Sequence, residues 1–268
     1  MHSVRLAGTP LECSRFIFGT ASLLSAGTTR QRLSLLDAAL EHGFTHFDTA
    51  PYYGFGLAER DLGRVLARRP AATVTSKVGL YSPGGEHQPT VSILLRKAAG
   101  RLVRRLARPT LSFDLARARH SLDGSLKRLR RERLDLFLLH EAERGLLEAD
   151  EWRTWLEDEV RGGRVRAFGV AATVARILPL LGACPALVPV LQAENSLAGR
   201  EADALVALGR APQISYGYVS AALRAGHPRP VPQILADALD LLPGSAVIVS
   251  TKRIERLAQY AAVAGGRS

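Results

Sequence analysis

The sequence predicts an α/β protein of the (β/α)8 TIM-barrel class, and three observations carry that reading. Short apolar strands alternate with helix-length amphipathic segments from one end of the chain to the other. The strands are continuous runs rich in β-branched residues and leucine, the pattern of a parallel sheet covered by helices. Eight such units in 268 residues match the roughly 250 residues of a closed eight-stranded barrel. A doubly wound sheet is the competing arrangement, but no Gly-x-Gly-x-x-Gly follows the first strand. One barrel domain over residues 1–268 is expected, with a long insertion after the third strand.

The elements follow in order. Arg15 to Phe18 is an apolar strand ending at the turn Gly19-Thr20. Thr28 can cap a helix from Thr29 to His42, whose Leu33, Leu36, Ala39 and Leu40 recur at helical spacing. Phe44 to Asp48 is the second strand, and a helix from Ala58 to Arg68 follows, closed by Pro70. Ala72 to Lys77 is a β-branched strand ending on a lysine. Val78 to Ser112 is the least regular stretch, with Gly79, Ser82-Pro83-Gly84-Gly85 and a basic, helix-like piece from Val91 to Ala107. It reads as an inserted loop. Leu111 to Asp114 leads into a helix from Leu115 to Arg131, and the strand Leu134 to Leu139 ends at His140. A helix over Glu148 to Arg161 is broken by Gly162-Gly163. The chain then gives strand Val165–Val170, helix Val174–Leu181, and strand Leu187–Leu191 ending at Gln192. Helix Arg200–Leu208, strand Gln213–Tyr216, helix Val231–Leu242, strand Ala246–Val249 and helix Ile254–Val263 complete it.

Composition narrows the function classes. Apolar residues at 47% and charged residues at 23% are those of a soluble globular protein. No apolar run approaches the ~18 residues of a membrane span, and no leader-like segment opens the chain, so a cytoplasmic protein without a membrane partner is expected. Cys13 and Cys184 give neither a disulfide framework nor a zinc pattern, and no metal is expected. The net charge of +11 raises the question of nucleic acid. Lys77, Lys97, Lys127 and Lys252 are the only lysines, so the basic charge is arginine spread along the chain. Its dense clusters, Arg96 to Arg108 and Lys127 to Arg133, read as solvated helix faces. With no binding module beside them, no nucleic-acid partner is expected.

In a (β/α)8 barrel the strand C-termini meet at one face, where sites are built. The residues at those ends are Asp48 with Tyr53 from the second strand, Lys77 from the third and His140 from the fourth. An aspartate at a strand end is costly to bury unless it finds a cation, and Lys77 on the next strand supplies one. A tyrosine of ordinary pKa near 10 is a poor acid at neutral pH. A neighbouring ammonium favours the phenolate and lowers that pKa, while the aspartate keeps the lysine charged and placed. Histidine can hydrogen-bond and orient the substrate oxygen. Such a set suits protonation of a carbonyl oxygen as hydride arrives at carbon, or the reverse.

With Asp48-Thr49-Ala50-x-x-Tyr53-Gly54, Ser76-Lys77 and Leu138-Leu139-His140, the chain resembles the aldo-keto reductases over essentially its whole length. The resemblance implies Tyr53 as general acid/base, Lys77 as its pKa modulator, Asp48 as the lysine's partner and His140 as the carbonyl-orienting residue. It also implies a nicotinamide cofactor, since no side chain can supply hydride. The matching cofactor stretch runs from Val247 through Ser250, Thr251, Lys252, Arg253 and Arg256 to Gln259. A strand end, hydroxyls and cations opening a helix suit a phosphate. The cations Lys252, Arg253 and Arg256 favour NADP(H) over NAD through the 2′-phosphate. Gln192 matches the residue contacting the nicotinamide carboxamide, Tyr216 the aromatic stacking on the ring, and Gly19 and Thr20 the first-strand turn facing the cofactor.

The chain departs from the family pattern in three places. Ala171-Ala172 stands where many members carry Ser-Asn to hold the carboxamide, and Gln259-Tyr260 where Glu-Asn often holds adenine. The segment from Tyr216 to Pro230 is short, so the loop over the pyrophosphate looks trimmed. On the substrate side, Tyr52, Phe55 and Tyr81, with Trp152 or Trp155, offer apolar walls, and Glu141 offers a polar contact. The pattern leans toward the branch acting on sugars and small aldehydes. Two other readings stay open: a non-catalytic, nucleotide-binding regulatory barrel, and a redox-neutral epimerase or lyase using the same acid/base set.

Overall fold

The computed structural model describes residues 1–86, 88, 109–226 and 229–266, so the helix expected from Val91 to Ala107 and the Arg96–Arg108 cluster lie outside the described residues. The chain opens with an antiparallel hairpin, β1 (Ser3–Arg5) against β2 (Glu12–Ser14), which the strand patterns above do not include. Then come β3 (Phe16–Gly19), α1 (Thr29–Glu41), β4 (His46–Asp48), α2 (Leu57–Leu66) and β5 (Thr73–Val78). A second small hairpin, β6 (Leu80–Tyr81) with β7 (Thr110–Leu111), brackets the insertion. The chain continues through α3 (Leu115–Leu129), β8 (Leu134–His140), α4 (Ala149–Arg161), β9 (Val165–Ala172) and α5 (Val174–Ala183). It ends with β10 (Val190–Glu194), α6 (Asp203–Ala207), β11 (Ile214–Tyr216), α7 (Tyr218–Arg224), α8 (Val231–Leu241), β12 (Ala246–Val249) and α9 (Glu255–Ala264).

Strands β3, β4, β5, β8, β9, β10, β11 and β12 form a closed barrel in that order, every neighbouring pair parallel. The continuous apolar character of the strands has a direct cause. Phe16, Phe18, Phe47, Val74, Phe137, Leu139, Val170, Leu191 and Val247 pack in the outer core, while Ile17, Leu136, Leu138, Ala171, Val190, Ile214 and Ala246 fill the interior. Both faces are buried, so both parities are apolar. Leu6, Leu11 and Cys13 of the opening hairpin join the interior cluster and close the N-terminal end of the barrel. The C-terminal mouth is left for chemistry.

The two-residue side-chain period that points Ile17, Leu138 and Val190 inward also points Gly19, Asp48, Lys77, His140, Gln192 and Tyr216 inward at that mouth. Helix α1 begins as expected, with a capping box between Thr28 and Gln31. Two buried ion pairs fix α2: Arg32 to Asp61 at 2.6 Å, and Arg128 of α3 to Glu59 at 2.7 Å.

Most element ends shift by one or two residues from the sequence pattern, and three departures are larger. β10 starts at Val190 rather than Leu187, because Pro185–Leu187 forms a single 3-10 turn and Pro189 has no N–H for a ladder. The helix expected over Arg200–Leu208 is only α6, with Arg200 in the left-handed region at φ 48°. The segment after Tyr216 is not a bare short loop but carries α7.

Candidate active site

Lys77 reaches inward from β5, 1% exposed, and its ammonium is held on three sides. Nζ donates to Asp48 Oδ1 at 2.6 Å, to the Thr49 carbonyl at 3.0 Å and to the Tyr53 hydroxyl at 3.3 Å. Tyr53 arrives from the loop after β4, where Gly54, Phe55 and Gly56 take φ of 59°, 58° and 80° and turn the chain sharply into α2. Its ring lies edge-on to His140 at 6.0 Å between centroids. The four residues that the sequence puts at neighbouring strand ends are therefore one contiguous group. On the outer side of β5, Ser76 donates to Glu59 at 2.6 Å, tying the lysine strand to the Arg128–Glu59 pair.

Burial governs the electrostatics of this group. It raises the Asp48 carboxyl and lowers the Lys77 ammonium from their usual ranges, each opposed by the charge of the other. Burial first, then the Lys77 charge, pushes His140 well below the ordinary imidazole value, so the ring is neutral at physiological pH. Its buried Nδ1 has no partner. Tyr53 corrects the expectation of a lowered pKa. Burial, then the negative charges of Asp48 and Glu141, hold it well above its ordinary value. Lys77 and Asp48 form a nearly neutral pair 2.6 Å apart, too compact to offset desolvation of a phenolate. The resting group is a phenol with its proton in place.

A cavity of about 630 Å³ runs from Asp48, Tyr53 and His140 past Gln192 and Tyr216 to Ser250, Lys252 and Arg256. Gly19 lies in its wall because β12 comes so close that a Cβ there would meet Ile248 Cγ2 at 2.7 Å. Ser250 donates to the Gly19 carbonyl at 3.0 Å. Not every residue expected on the cofactor side faces this space. Thr20 is fully buried and ties its hydroxyl to the Asp48 carbonyl. Thr251 accepts from the Arg253 amide at 3.0 Å and shapes the turn into α9. Arg253 and Gln259 are exposed and outside the cavity lining: Arg253 precedes α9, and Gln259 is turned about 100° around the helix from Tyr260. Tyr260, the next residue, faces inward with Leu235, Leu223, Ser220 and Arg224. The short helix α7 that supplies Ser220, Leu223 and Arg224 gave no usable period in the sequence, being only seven residues long.

On the substrate side Glu141 lines the cavity, in the left-handed region at φ 57°. The Glu141 amide donates to the Ala171 carbonyl at 2.8 Å, and the Glu141 carbonyl accepts from Arg176 at 2.7 Å. Burial raises its carboxyl, opposed by Arg176. Among the described residues, the expected apolar walls are not part of the lining. Phe55 packs with Leu57 and Leu24 in a cluster of its own. Tyr81 is buried in the outer core under the Arg117 guanidinium, 3.8 Å from its ring centre. Tyr52 lies beside Tyr53, with ring centres 6.5 Å apart, and is not among the lining residues. Trp152 and Trp155 stack edge-on in the core and donate to the Phe113 carbonyl and to Glu159. Glu194, at the end of β10, does line the cavity. Its signal was available, since it stands two residues beyond Gln192 and so shares its face.

Among the described residues no cluster of three or more His, Cys, Asp or Glu is placed to hold a metal, and no helix is long and apolar enough to cross a membrane.

The model of the aldo/keto reductase family matches residues 15–204. The D-threo-aldose 1-dehydrogenase of a Pseudomonas species is 32% identical over 162 residues, 59% of this chain and 48% of that protein. The chain spans about half the length of the curated relatives it matches. Among solved structures, the holo form of an aldo-keto reductase from Bacillus halodurans superposes with a TM-score of 0.77 at 19% identity, covering 100% of this chain and 92% of that one. An aldo-keto reductase from Klebsiella pneumoniae in complex with NADPH gives 0.65 at 22% identity, covering 99% and 90%.

Proposed function

The chain belongs to the aldo/keto reductase family, and from that premise we propose that it interconverts a carbonyl and an alcohol with NADP(H), Tyr53 carrying the proton. The observation that carries this reading is the Lys77 ammonium, bonded at once to Asp48 and to the Tyr53 hydroxyl, with the His140 ring against the same tyrosine. The cavity fits a dinucleotide on its own chemistry. Gln192 keeps a buried, unpartnered Oε1 at one end, and Lys252 and Arg256 offer cations at the other. A bound nicotinamide supplies or accepts the hydride.

The rest is done by side chains of the chain. In the reducing direction the Tyr53 phenol, protonated at rest, gives its proton to the carbonyl oxygen. Lys77, 3.3 Å away, then stabilises the phenolate that remains, and Asp48 keeps the ammonium in place. Neutral His140 orients the same oxygen through an N–H. Tyr216 and Gln192 hold the nicotinamide end, Ser250, Lys252 and Arg256 the phosphate end. Glu141 meets a polar substituent of the substrate. Aldoses and small aldehydes stand first among substrates to test, since the Pseudomonas relative is an aldose dehydrogenase.

The test is Tyr53→Phe, followed by NADPH absorbance across aldehydes, ketones and aldoses. Turnover drops by about 10²–10⁴-fold, the usual contribution of a positioned acid, while the dissociation constant for NADPH stays where it was. A variant that turns over at the parent rate ends this assignment.

A further inference from the structure

Ser76 and Lys77 are consecutive residues of β5, so their side chains leave the strand on opposite faces of the barrel wall. Inside, Lys77 meets the Tyr53 hydroxyl at 3.3 Å; outside, Ser76 donates to Glu59 at 2.6 Å. Tyr53 and Glu59 belong to one short stretch, the loop before α2 and its first turn. Two backbone bonds close that stretch on itself, from the Leu57 amide to the Gly54 carbonyl at 3.1 Å and from the Ala58 amide to the Tyr53 carbonyl at 3.3 Å. The tyrosine segment and the lysine strand are therefore bonded twice, once on each side of the wall.

The outer bond falls where the sheet supports β5 least. Strand β4 pairs with β5 only as far as Asp48 beside Thr75, and the Thr49 amide adds a last bond to the Thr75 carbonyl at 2.9 Å. Past that point Ser76 and Lys77 pair with β8 alone. Glu59 has no exposed surface, and its second oxygen accepts from Arg128 Nε at 2.7 Å. Glycines make room for that arginine. A Cβ at Gly124 would lie 2.8 Å from its Nη1, and one at Gly56, in the tyrosine loop, 3.2 Å from its Cδ. Burial lowers the Lys77 ammonium, and the charges of Asp48 and then Glu59 oppose it, so the carboxylate behind the wall is felt in front of it.

Resting on the Tyr53 and Lys77 roles proposed above, we propose that Ser76, Glu59 and Arg128 are positioning residues that set the Lys77–Tyr53 separation from behind the barrel wall. None of the three lines the cavity, so their effect on rate passes through the ammonium. At an effective dielectric constant of about 20, drawing the ammonium back by about 1 Å from its 3.3 Å contact weakens its hold on the phenolate by roughly five- to tenfold in rate.

The test is Ser76→Ala, read first without turnover. Lys77, Lys97, Lys127 and Lys252 are the only lysines, so nitrogen-15 spectra of the lysine ammonium groups are simple to assign. Tyr53→Phe marks where the Lys77 signal falls once the tyrosine contact is gone, and Ser76→Ala moves the signal part of the way to that mark. In the same variant kcat for carbonyl reduction falls about five- to tenfold, while KM and the NADPH dissociation constant stay within about twofold of the parent. Ser76→Thr keeps the hydroxyl and restores both readouts. Gly124→Ala favours the helix while crowding the Arg128 guanidinium, and it moves the Lys77 signal in the same direction. A Lys77 signal that keeps its parent position in Ser76→Ala, or in Gly124→Ala where the first variant does not fold, overturns the proposal. A kcat loss that Ser76→Thr shares in full overturns it as well. Absence of turnover in the parent protein overturns the proposed reaction instead, and the lysine spectra still decide the geometry.

Discussion

Lys77 is the residue on which the site's geometry depends, and its burial makes that dependence measurable. Its ammonium is 1% exposed and pairs with an aspartate that is itself 3% exposed. Removing one member of such a pair leaves a lone charge in a medium that solvates it poorly. Lys77→Met is expected to destabilise the fold by about 3–5 kcal/mol, whereas Asp48→Asn with Lys77→Met recovers most of that loss because no uncompensated ion remains. Urea denaturation of the three proteins checks this, and a double variant no more stable than the single one contradicts it. Activity follows a different rule, since neither variant stabilises a Tyr53 phenolate and both stay inactive. The raised Tyr53 pKa also has a signed consequence. A general acid works while protonated, so carbonyl reduction shows no loss attributable to Tyr53 as pH rises from 6 to about 9, below the ordinary tyrosine value. A Tyr53-dependent limb that bends the reduction rate near pH 7 argues that the ammonium outweighs burial.

At the scale of elements, the site strand is braced by the contact between α2 and α3. A Cβ at Gly63 would sit 2.1 Å from the Arg128 carbonyl oxygen, so the two helices approach as closely as a hydrogen atom permits. Arg128 holds Glu59, and Glu59 accepts from Ser76, the neighbour of Lys77. Gly63→Ala must separate the helices and is expected to cost about 1–3 kcal/mol. Thermal unfolding reads the loss, and an unchanged midpoint excludes the close contact. This contact could not be read from the sequence, where Gly63 is one glycine in a helical pattern. What was legible had a local cause. The barrel strands are short runs with both faces buried, and Asp48, Lys77 and His140 each close one. The parts that were not legible depend on distant partners. The opening hairpin makes sense only as a lid on the barrel floor, α7 is too short to show a period, and the loop aromatic Phe55 and Tyr81 of the two-residue strand β6 take their direction from Leu24 and Arg117. The same limit applies around α9, where Arg256 and Tyr260 line the cavity while Gln259 on the helix and Arg253 before it do not.

The barrel as a whole encloses a histidine that ties its stability to pH. His46 points inward from β4 with no exposed surface, and its two ring nitrogens bond the Thr73 and Thr75 hydroxyls of β5, each at 2.7 Å. Burial, helped by the Lys77 charge, lowers its pKa from 6.5 to about 3. In the unfolded chain the same imidazole binds a proton as pH falls through 6.5, while in the barrel it stays neutral down to about 3. Between those values the unfolded state holds the extra proton, so stability rises with pH and is lost on acidification, on the order of 1.4 kcal/mol per pH unit from this one group. The buried carboxyls of Asp48 and Asp135 and the half-buried one of Glu141, all raised by desolvation, act in the opposite sense at the acid end. The histidine contribution is therefore read as a difference. Unfolding free energies of the parent and of His46→Gln, measured from pH 7 down to 4.5, should diverge at high pH and converge as the pH falls, because the glutamine has no proton to gain. Parallel curves would mean that the barrel interior admits a charged imidazole, and that His46 is less dry than its two threonine bonds imply.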